Sequence, residues 1–392
     1  MNCDMRTLRR TVSLVVTAAA LVGIGLAASG QFGVALKPHV SLLASSSPLV
    51  TAPPRAALAP DGSGWALTTA GLEITQNEGQ SFSLVNPPIV SSGITDVVVS
   101  GTDLTVAGVD YSSSDAVGPF QLETAYSVDG GSTWTKVTPP APFSGAQAGV
   151  AQLVTSDGAL IGMLLTDQTS SAFSQGDWYS TSDNGQTWSE FQAPCGGTVT
   201  DIAGNLWLVG GPLNNELYLS TDLGRTWSHV TVPTSAVPEG AALSIPGALS
   251  DGDIVLATTT PSQVSGAPEV AVYTSSDLGQ TWNPLGQTSL PGSIGQGVVT
   301  ASSVAGGSVW FGASVGSEVV VVSSSGAVSP VTSADLYPTV SAIDAISGST
   351  AWAIASSSQC PSGKTSCTSV SALFKTTDGG ASWSQVNLTP SS

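Results

Sequence analysis

The chain has 392 residues, of which 27 are Asp or Glu and 9 are Lys or Arg, so its formal net charge is −18. A surface of this sign repels nucleic acid and anionic membranes, which excludes both as expected partners. Only 9% of the residues are charged, Gly is abundant, and no stretch beyond the N-terminus repeats with helical period. This composition favours an all-β protein.

The N-terminal 30 residues predict export. Arg6, Arg9 and Arg10 precede an uncharged, mostly apolar run at 11–28, and small residues follow it. This order is typical of a signal peptide. The run is also about long enough to span a bilayer, so a retained membrane anchor is the alternative. In both cases the rest of the chain would lie outside the cytoplasm, secreted or held at the envelope. Residues 31–50 are expected to be a short stalk or linker, or else the first contributor to the closing blade of the domain that follows.

One eight-residue sequence motif then recurs along the chain. It reads [Ser/Thr]-x-Asp-x-Gly-x-[Ser/Thr]-Trp at 127–134, 181–188, 220–227, 275–282 and 376–383, and a variant lies at 75–82. Its key positions are Asp129 and Trp134, Asp183 and Trp188, Asp222 and Trp227, Asp277 and Trp282, Asp378 and Trp383, with Asn77 and Phe82 in the variant. Asp can accept backbone hydrogen bonds, and Gly can adopt the positive φ of a tight turn. The motif therefore predicts a hairpin turn followed by a strand with a buried aromatic ring.

Seven short apolar segments indicate the number of repeats. They lie at 64–67, 104–106, 159–161, 206–209, 254–256, 309–311 and 351–354, each after a turn signal. Six of these segments are followed along the chain by a copy of the motif. The segment at 309–311 is followed instead by a predicted hairpin at 319–326 that lacks the Asp and the Trp. Repeats of about 40 to 55 residues are typical of propellers and arrays. We therefore predict one seven-bladed β-propeller over 51–390, with four-stranded antiparallel blades. A six-bladed ring is the alternative.

The motif resembles the Asp-box, or bacterial neuraminidase repeat, of sialidase-like β-propellers. Relatives with this repeat include sialidases, some endoglucanases, sortilin-type receptors and photosystem II assembly factors. The resemblance implies that each box joins the third and fourth strands at the outer edge of a blade, away from the usual binding face. The box residues are accordingly expected to be structural and not catalytic.

Sialidase chemistry is excluded by composition. A sialidase clamps the substrate carboxylate with three arginines, because paired guanidinium groups supply both charge and geometry. After the first 30 residues the chain has only Arg55 and Arg225. Other glycoside hydrolases need two suitably spaced carboxylates. The candidates are Asp96, Asp201 and Asp344, which fall where the innermost strand of a blade should line the central channel.

Cysteine and histidine usage gives little support to other chemistry. Cys360 and Cys367 flank a polar loop and are expected to form a disulfide, as is common in exported proteins. Cys195 is either a buried thiol or an alternative partner of one of them. His39 and His229 are the only histidines in the sequence, which disfavours cysteine catalysis and histidine metal sites. We expect no cofactor and no metal.

The function predicted from these features is that of an exported, non-catalytic, monomeric binding module with a protein or carbohydrate ligand. Propeller faces gather loops from every blade around one axis, which suits them to binding. The alternative is a glycoside hydrolase that acts on a neutral polysaccharide through a pair of channel aspartates.

Overall fold

A computed structural model describes residues 55–388, except 59–60, 69, 90–92, 111–120, 142–148, 168–174, 212–213, 233–240, 261–268, 290–298, 306–307, 314–316, 324, 360–367 and 387. The predicted signal segment, the stalk, and Cys360 and Cys367 lie outside these residues. Within the described ranges no helix has the length and apolar character needed to cross a bilayer.

The described chain forms seven antiparallel sheets, which are the blades of a β-propeller. Blade 1 consists of β1 (Arg55–Leu58), β2 (Gly64–Thr68), β3 (Gly71–Thr75) and β4 (Ser83–Val85). Blade 2 consists of β5 (Ile94–Ser100), β6 (Asp103–Asp110), β7 (Gln121–Ser127) and β8 (Thr135–Val137). Blade 3 consists of β9 (Gly149–Ser156), β10 (Ala159–Asp167), β11 (Gln175–Ser180) and β12 (Ser189–Gln192). Blade 4 consists of β13 (Gly197–Ile202), β14 (Asn205–Gly210), β15 (Glu216–Ser220) and β16 (Ser228–Val230).

The first strand of blade 5 is split in two. This blade contains β17 (Ala242–Leu243) and β18 (Gly247–Ala248), which both pair with β19 (Ile254–Thr260), followed by β20 (Glu269–Ser275) and β21 (Asn283–Ser289). Blade 6 consists of β22 (Val299–Ala305), β23 (Ser308–Ala313), β24 (Glu318–Val322) and β25 (Val328–Thr332). Blade 7 consists of β26 (Thr339–Ala345), β27 (Ala351–Gln359), β28 (Thr368–Thr376) and β29 (Ser384–Gln385).

The strand assignment confirms the seven-bladed prediction, and the six-bladed alternative is wrong. Each of the seven apolar segments is the second strand of a blade, and the hairpin at 319–326 belongs to a full four-stranded sheet. Blade 7 is built from its own four consecutive strands, so the ring closes by packing against blade 1. There Phe82 and Trp352 pack with ring centroids 6.2 Å apart, and Lys375 Nζ lies 3.0 Å from Glu78 Oε2.

The repeated turns join the third and fourth strands of six blades and share one hydrogen-bond pattern. In blade 4, Asp222 Oδ1 accepts from the Thr226 N–H at 2.9 Å and from Ser220 Oγ at 2.8 Å, and Asp222 Oδ2 accepts from Thr226 Oγ1 at 2.7 Å. Ser220 Oγ in turn accepts from the Gly224 N–H at 2.8 Å. The turns at Asp129, Asp183, Asp277 and Asp378 have the same bonds.

The variant turn in blade 1 keeps this geometry with an amide. Asn77 Oδ1 accepts from the Ser81 N–H at 2.9 Å, and Asn77 Nδ2 donates to Ser81 Oγ at 2.9 Å. The amide thus keeps both contacts that the aspartates make to the later Ser or Thr, with the donor and acceptor exchanged in the side-chain bond. The negative charge is therefore not required for the turn to form.

The turn glycines hold neighbouring blades together. All seven have positive φ, and a Cβ added to any of them would contact a side chain of the preceding blade; they are Gly79, Gly131, Gly185, Gly224, Gly279, Gly326 and Gly380. The closest approach is at Gly224, where an added Cβ would lie 2.1 Å from Trp178 Nε1 of blade 3. Trp178 is fully buried and donates to the Leu223 carbonyl at 2.8 Å. Each turn is therefore a joint between two blades.

The aromatic rings of the turns extend these joints. Phe82, Trp188, Trp282 and Trp383 are buried, whereas Trp134 and Trp227 are half-buried. Trp227 packs edge-on against Trp178 of the preceding blade, with ring centroids 6.1 Å apart. The expected burial of these rings is complete in four turns and partial in two.

We expect Gly224→Ala to destabilise the protein more than Gly204→Ala. Both glycines lie in blade 4 with φ near 80°, so both substitutions carry the cost of positive φ, on the order of 1–2 kcal/mol. Only Gly224→Ala adds a clash, with Trp178, because nothing lies within 4 Å of a Cβ at Gly204. The clash should add about 1–3 kcal/mol. Urea unfolding of both variants measures the difference in the free energy of unfolding. Equal losses of stability in the two variants would contradict a tight contact between the Gly224 turn and Trp178.

Substitution of Asp222 tests the turn network itself. We expect Asp222→Asn to lower the free energy of unfolding by less than about 0.5 kcal/mol, since Asn77 makes the same bonds in blade 1. Asp222→Ala should cost about 1–2 kcal/mol, because it removes the acceptor for Thr226 and Ser220. The two variants are compared by thermal melting. An Asn variant as unstable as the Ala variant would show that the charge matters.

Candidate functional site

The three aspartates predicted at the channel all lie on first strands; Asp344 is near enough for its charge to act on Asp96, but Asp96 and Asp201 are not brought together. The first strands of blades 2, 3 and 4 contact one another in turn, as do those of blades 5, 6, 7 and 1. Asp96 is near the start of β5, whereas Asp201 and Asp344 are each one residue from the end of β13 and β26. Asp96 contacts Leu153 of β9, and Asp201 contacts Ser156 of the same strand. Three residues along a strand correspond to ~10 Å, so the two carboxyls are at different depths of the channel.

Asp96 joins blades 2 and 3. The register of β5 shifts between Ile94 and Asp96, which marks a bulge next to Asp96. Asp96 Oδ2 accepts from the Leu153 N–H of blade 3 at 2.8 Å, and Oδ1 accepts from the Val97 N–H at 2.8 Å. Burial of the carboxyl group raises the pKa of Asp96 to about 7. The neighbouring Asp344 carboxylate also raises this pKa, while the two N–H donors and Arg55 lower it.

Asp201 has a structural set of partners. Its Oδ2 accepts from Ser156 Oγ at 2.8 Å and from the Gly204 N–H at 3.4 Å, so it links blades 3 and 4 and caps the turn after β13. Its Oδ1 is buried with no hydrogen-bond partner among the described residues. Burial raises the pKa of Asp201, and the Ser156 hydrogen bond lowers it. This carboxyl is engaged in the scaffold and does not face the cleft described next.

A cleft of about 350 Å³ opens among the starts of the first strands of blades 2, 3 and 4. Its described lining consists of Thr95, Asp96, Val150, Ala151, Gln152, Thr166, Gly197 and Thr198. Asp96 is the only ionisable side chain among these residues. The size is within the range of small-molecule sites. The repeated turns follow third strands, so the antiparallel arrangement places them at the opposite end of the blades from this cleft.

The polar residues of the cleft also join the blades. Gln152 Nε2 donates to the Val199 carbonyl at 2.9 Å, and Gln152 Oε1 accepts from the Val199 N–H at 3.0 Å. Thr166 Oγ1 accepts from the Gly197 N–H at 3.0 Å. Arg55 donates to the carbonyls of Ile94 and Thr95, which joins blade 1 to blade 2. These contacts fix the positions of the side chains in the cleft.

Four buried acidic residues were not anticipated from the sequence, namely Glu73, Glu123, Asp177 and Glu318. Glu73 on β3 and Glu318 on β24 are almost fully buried, and in each the Oε2 atom has no hydrogen-bond partner among the described residues. Burial raises the pKa of Glu318 to about 7. The only signal is an acidic residue beside or within an apolar strand, as in Leu72-Glu73-Ile74. Across the described ranges no three His, Cys, Asp or Glu side chains are grouped to hold a metal ion.

Known proteins match the chain only distantly, and no family model matches it. It is 27% identical over 256 residues to a probable oligoxyloglucan-reducing end-specific xyloglucanase of Neosartorya fischeri, covering 57% of this chain and 27% of that protein. The chain thus spans about a quarter of the length of that relative.

Solved structures match the chain at low identity. A prolyl endopeptidase structure matches with a TM-score of 0.51 and 11% identity, over 86% of this chain and 50% of that chain. The Hadza microbial sialidase Hz136 matches with a TM-score of 0.38 and 14% identity, over 76% of this chain and 72% of that chain. The likeness to the prolyl endopeptidase structure concerns the fold alone.

The pKa shifts predict that stability is greatest in mild acid. The folded-state pKa of Asp96 and Glu318 is about 7, above the ordinary values of 3.8 and 4.5, so their burial penalises folding increasingly as the pH rises from about 4 to 7. In the turns, the hydroxyl of Thr133 and then its N–H lower the pKa of Asp129 to about 2. That contribution is present above pH 3.8 and is lost as the pH falls towards 2.

Thermal melting between pH 2 and 8 checks this expectation. The melting temperature should rise from pH 8 to about 4 and fall below it. Asp96→Asn should reduce the slope between pH 5 and 7, because one of the two titrating carboxyls is removed. Asp61→Asn, which exchanges an exposed carboxyl, is the control. An unchanged slope in Asp96→Asn would contradict the assignment of the titration to Asp96.

Proposed function

We propose that this protein is an exported, non-catalytic β-propeller that binds a carbohydrate in the cleft at the start of β5, β9 and β13. The observation that carries the proposal is that a cleft of small-molecule size has several polar side chains but a single carboxyl among its described lining residues. Hydrolysis of a glycosidic bond requires two carboxyls across the bond. Recognition of sugar hydroxyls requires only fixed donors and acceptors.

The ligand class is supported by two features. The distant similarity to a probable xyloglucanase favours a polysaccharide or oligosaccharide. The surplus of acidic residues disfavours nucleic acid and other polyanions. We further propose that the repeated turns are Asp-boxes with a structural role, and that the protein is a monomer outside the cytoplasm, attached to a membrane only if the N-terminal segment is retained.

A glycoside hydrolase is the second candidate. It is favoured by one observation, the pKa of about 7 at Asp96, since a general acid works best when its pKa is near the operating pH. The arrangement of the other aspartates argues against it. Asp201 is committed to Ser156 and Gly204, and Asp344 is not among the described residues of the cleft.

A polysaccharide panel separates the two candidates. The purified protein is incubated with xyloglucan, cellulose, chitin and chitosan, and both its retention and the release of reducing sugar are measured. We expect retention on at least one polymer without released sugar. Sugar release that disappears in Asp96→Asn but persists in Asp201→Asn would establish the hydrolase instead. Failure to bind any polymer would contradict the proposed carbohydrate ligand.

A further inference from the structure

The carboxyl of Asp96 has no counter-ion in the described structure. Two ion pairs are present in the described ranges, Lys136 with Glu123 and Lys375 with Glu78, and Asp96 takes part in neither. Arg55 is the cation whose charge acts on Asp96, yet its guanidinium donates to the backbone carbonyls of Ile94 and Thr95. Asp96 is half-buried, and a carboxylate that has lost part of its contact with water without a paired cation is unfavourable. The Asp96 carboxylate is therefore available to a cation that enters the cleft.

The scaffold does not need a charge at this position. One blade later Gln152 occupies the corresponding place, because each of these residues reaches from its first strand to a backbone N–H of the next blade. Asp96 Oδ2 accepts from the Leu153 N–H, and Gln152 Oε1 accepts from the Val199 N–H. A neutral amide thus makes the same bond between blades. The carboxyl at 96 adds what an amide lacks, which is negative charge.

The surroundings favour a cationic ligand. The other described residues that line the cleft are uncharged, and Arg55, the described cation that acts on Asp96, lies outside that lining and forms no ion pair with it. The acidic chain attracts cations over a longer range and raises their concentration at its surface. Of the charged groups that act on Asp96, Asp344 on β26 adds negative potential and Arg55 on β1 opposes it.

We propose that the cleft selects an amino sugar, with the ammonium group of the ligand paired to the carboxylate of Asp96 and the sugar ring held among Thr95, Gln152 and Thr198. This inference rests on the proposed function, since it specifies the kind of carbohydrate. A desolvated ion pair made with a ligand is stronger than a hydrogen bond between neutral groups. The pair therefore distinguishes an amino sugar from its N-acetylated or hydroxylated counterpart.

Two β-1,4-linked trisaccharides of glucosamine test the selection by calorimetry. One is N,N,N-trimethylated, so its charge is permanent and independent of pH, and the other is N-acetylated and neutral. We expect the cationic trisaccharide to bind at least about tenfold more tightly at pH 8, which corresponds to ~1.4 kcal/mol. Asp96→Asn should remove this preference. Asp201→Asn, a channel-strand aspartate at another depth, should retain it.

The pH dependence provides a second measurement that needs no variant. Ionisation of a carboxyl with a pKa near 7 increases about tenfold between pH 6 and pH 8. The affinity of the wild-type protein for the cationic trisaccharide should rise by about the same factor, and added salt should weaken it. The affinity for the neutral trisaccharide should change little. If Asp96→Asn does not fold, this pH profile of the wild-type protein tests whether an ionised carboxyl binds the cationic trisaccharide.

The outcomes separate this inference from the proposed function. Equal binding of both trisaccharides, independent of pH, would overturn the amino-sugar selection and leave the carbohydrate ligand in place. Binding of butyltrimethylammonium that depends on Asp96, without binding of either trisaccharide, would support the cation site and contradict the carbohydrate. Absence of binding by all three probes would overturn both.

Discussion

The contact between each turn glycine and the preceding blade is the constraint on which this propeller depends. Among the described residues each strand pairs only within its own blade, so no pairing of described strands closes the ring. Side-chain packing accompanies every described junction between blades, and the contact of Gly224 with Trp178 is the tightest one made by a turn glycine. The glycine meets two requirements together, because the turn needs positive φ and the neighbouring indole leaves no space for a Cβ. Asp222 and its counterparts hold that glycine in place through the Ser or Thr hydroxyl.

Placement of these joints at one end of the blades leaves the other end available for binding. The cleft lies where first strands begin. Its polar side chains also form hydrogen bonds across the seams, which are the junctions between neighbouring blades. Gln152 and Thr166 make bonds between blades 3 and 4, and Asp96 makes one between blades 2 and 3. A site built from such residues is rigid, since movement of one side chain would break a seam. Rigid donors and acceptors favour selective binding with little loss of conformational entropy.

Electrostatics give the protein two opposing responses to acid. Exposed turn carboxylates are stabilised by hydroxyl and N–H donors, so they remain charged to low pH. Enclosed carboxyls such as Asp96 and Glu318 favour the protonated form instead. In mild acid the turn carboxylates are still charged while carboxyls such as Asp96 and Glu318 are protonated, so both kinds of carboxyl are in their favoured state. Mild acid also reduces the mutual repulsion of an acidic chain. The same property that makes Asp96 unfavourable for the fold at neutral pH makes it suitable as a partner for a cation.

The class of fold, the number of blades and the position of each turn could all be predicted from local sequence pattern. Asp, Gly and Trp at fixed spacing encode turn geometry, and the apolar segments mark second strands, so both are visible without contacts between distant residues. The same pattern placed Asp96, Asp201 and Asp344 on first strands. The packing of the folded chain was needed to establish that Asp96 alone lines the cleft, that Asp201 is committed to Ser156, and that Glu73 and Glu318 are buried. Those outcomes depend on register and burial between blades, which local pattern does not encode because the partners are about 45 or more residues apart.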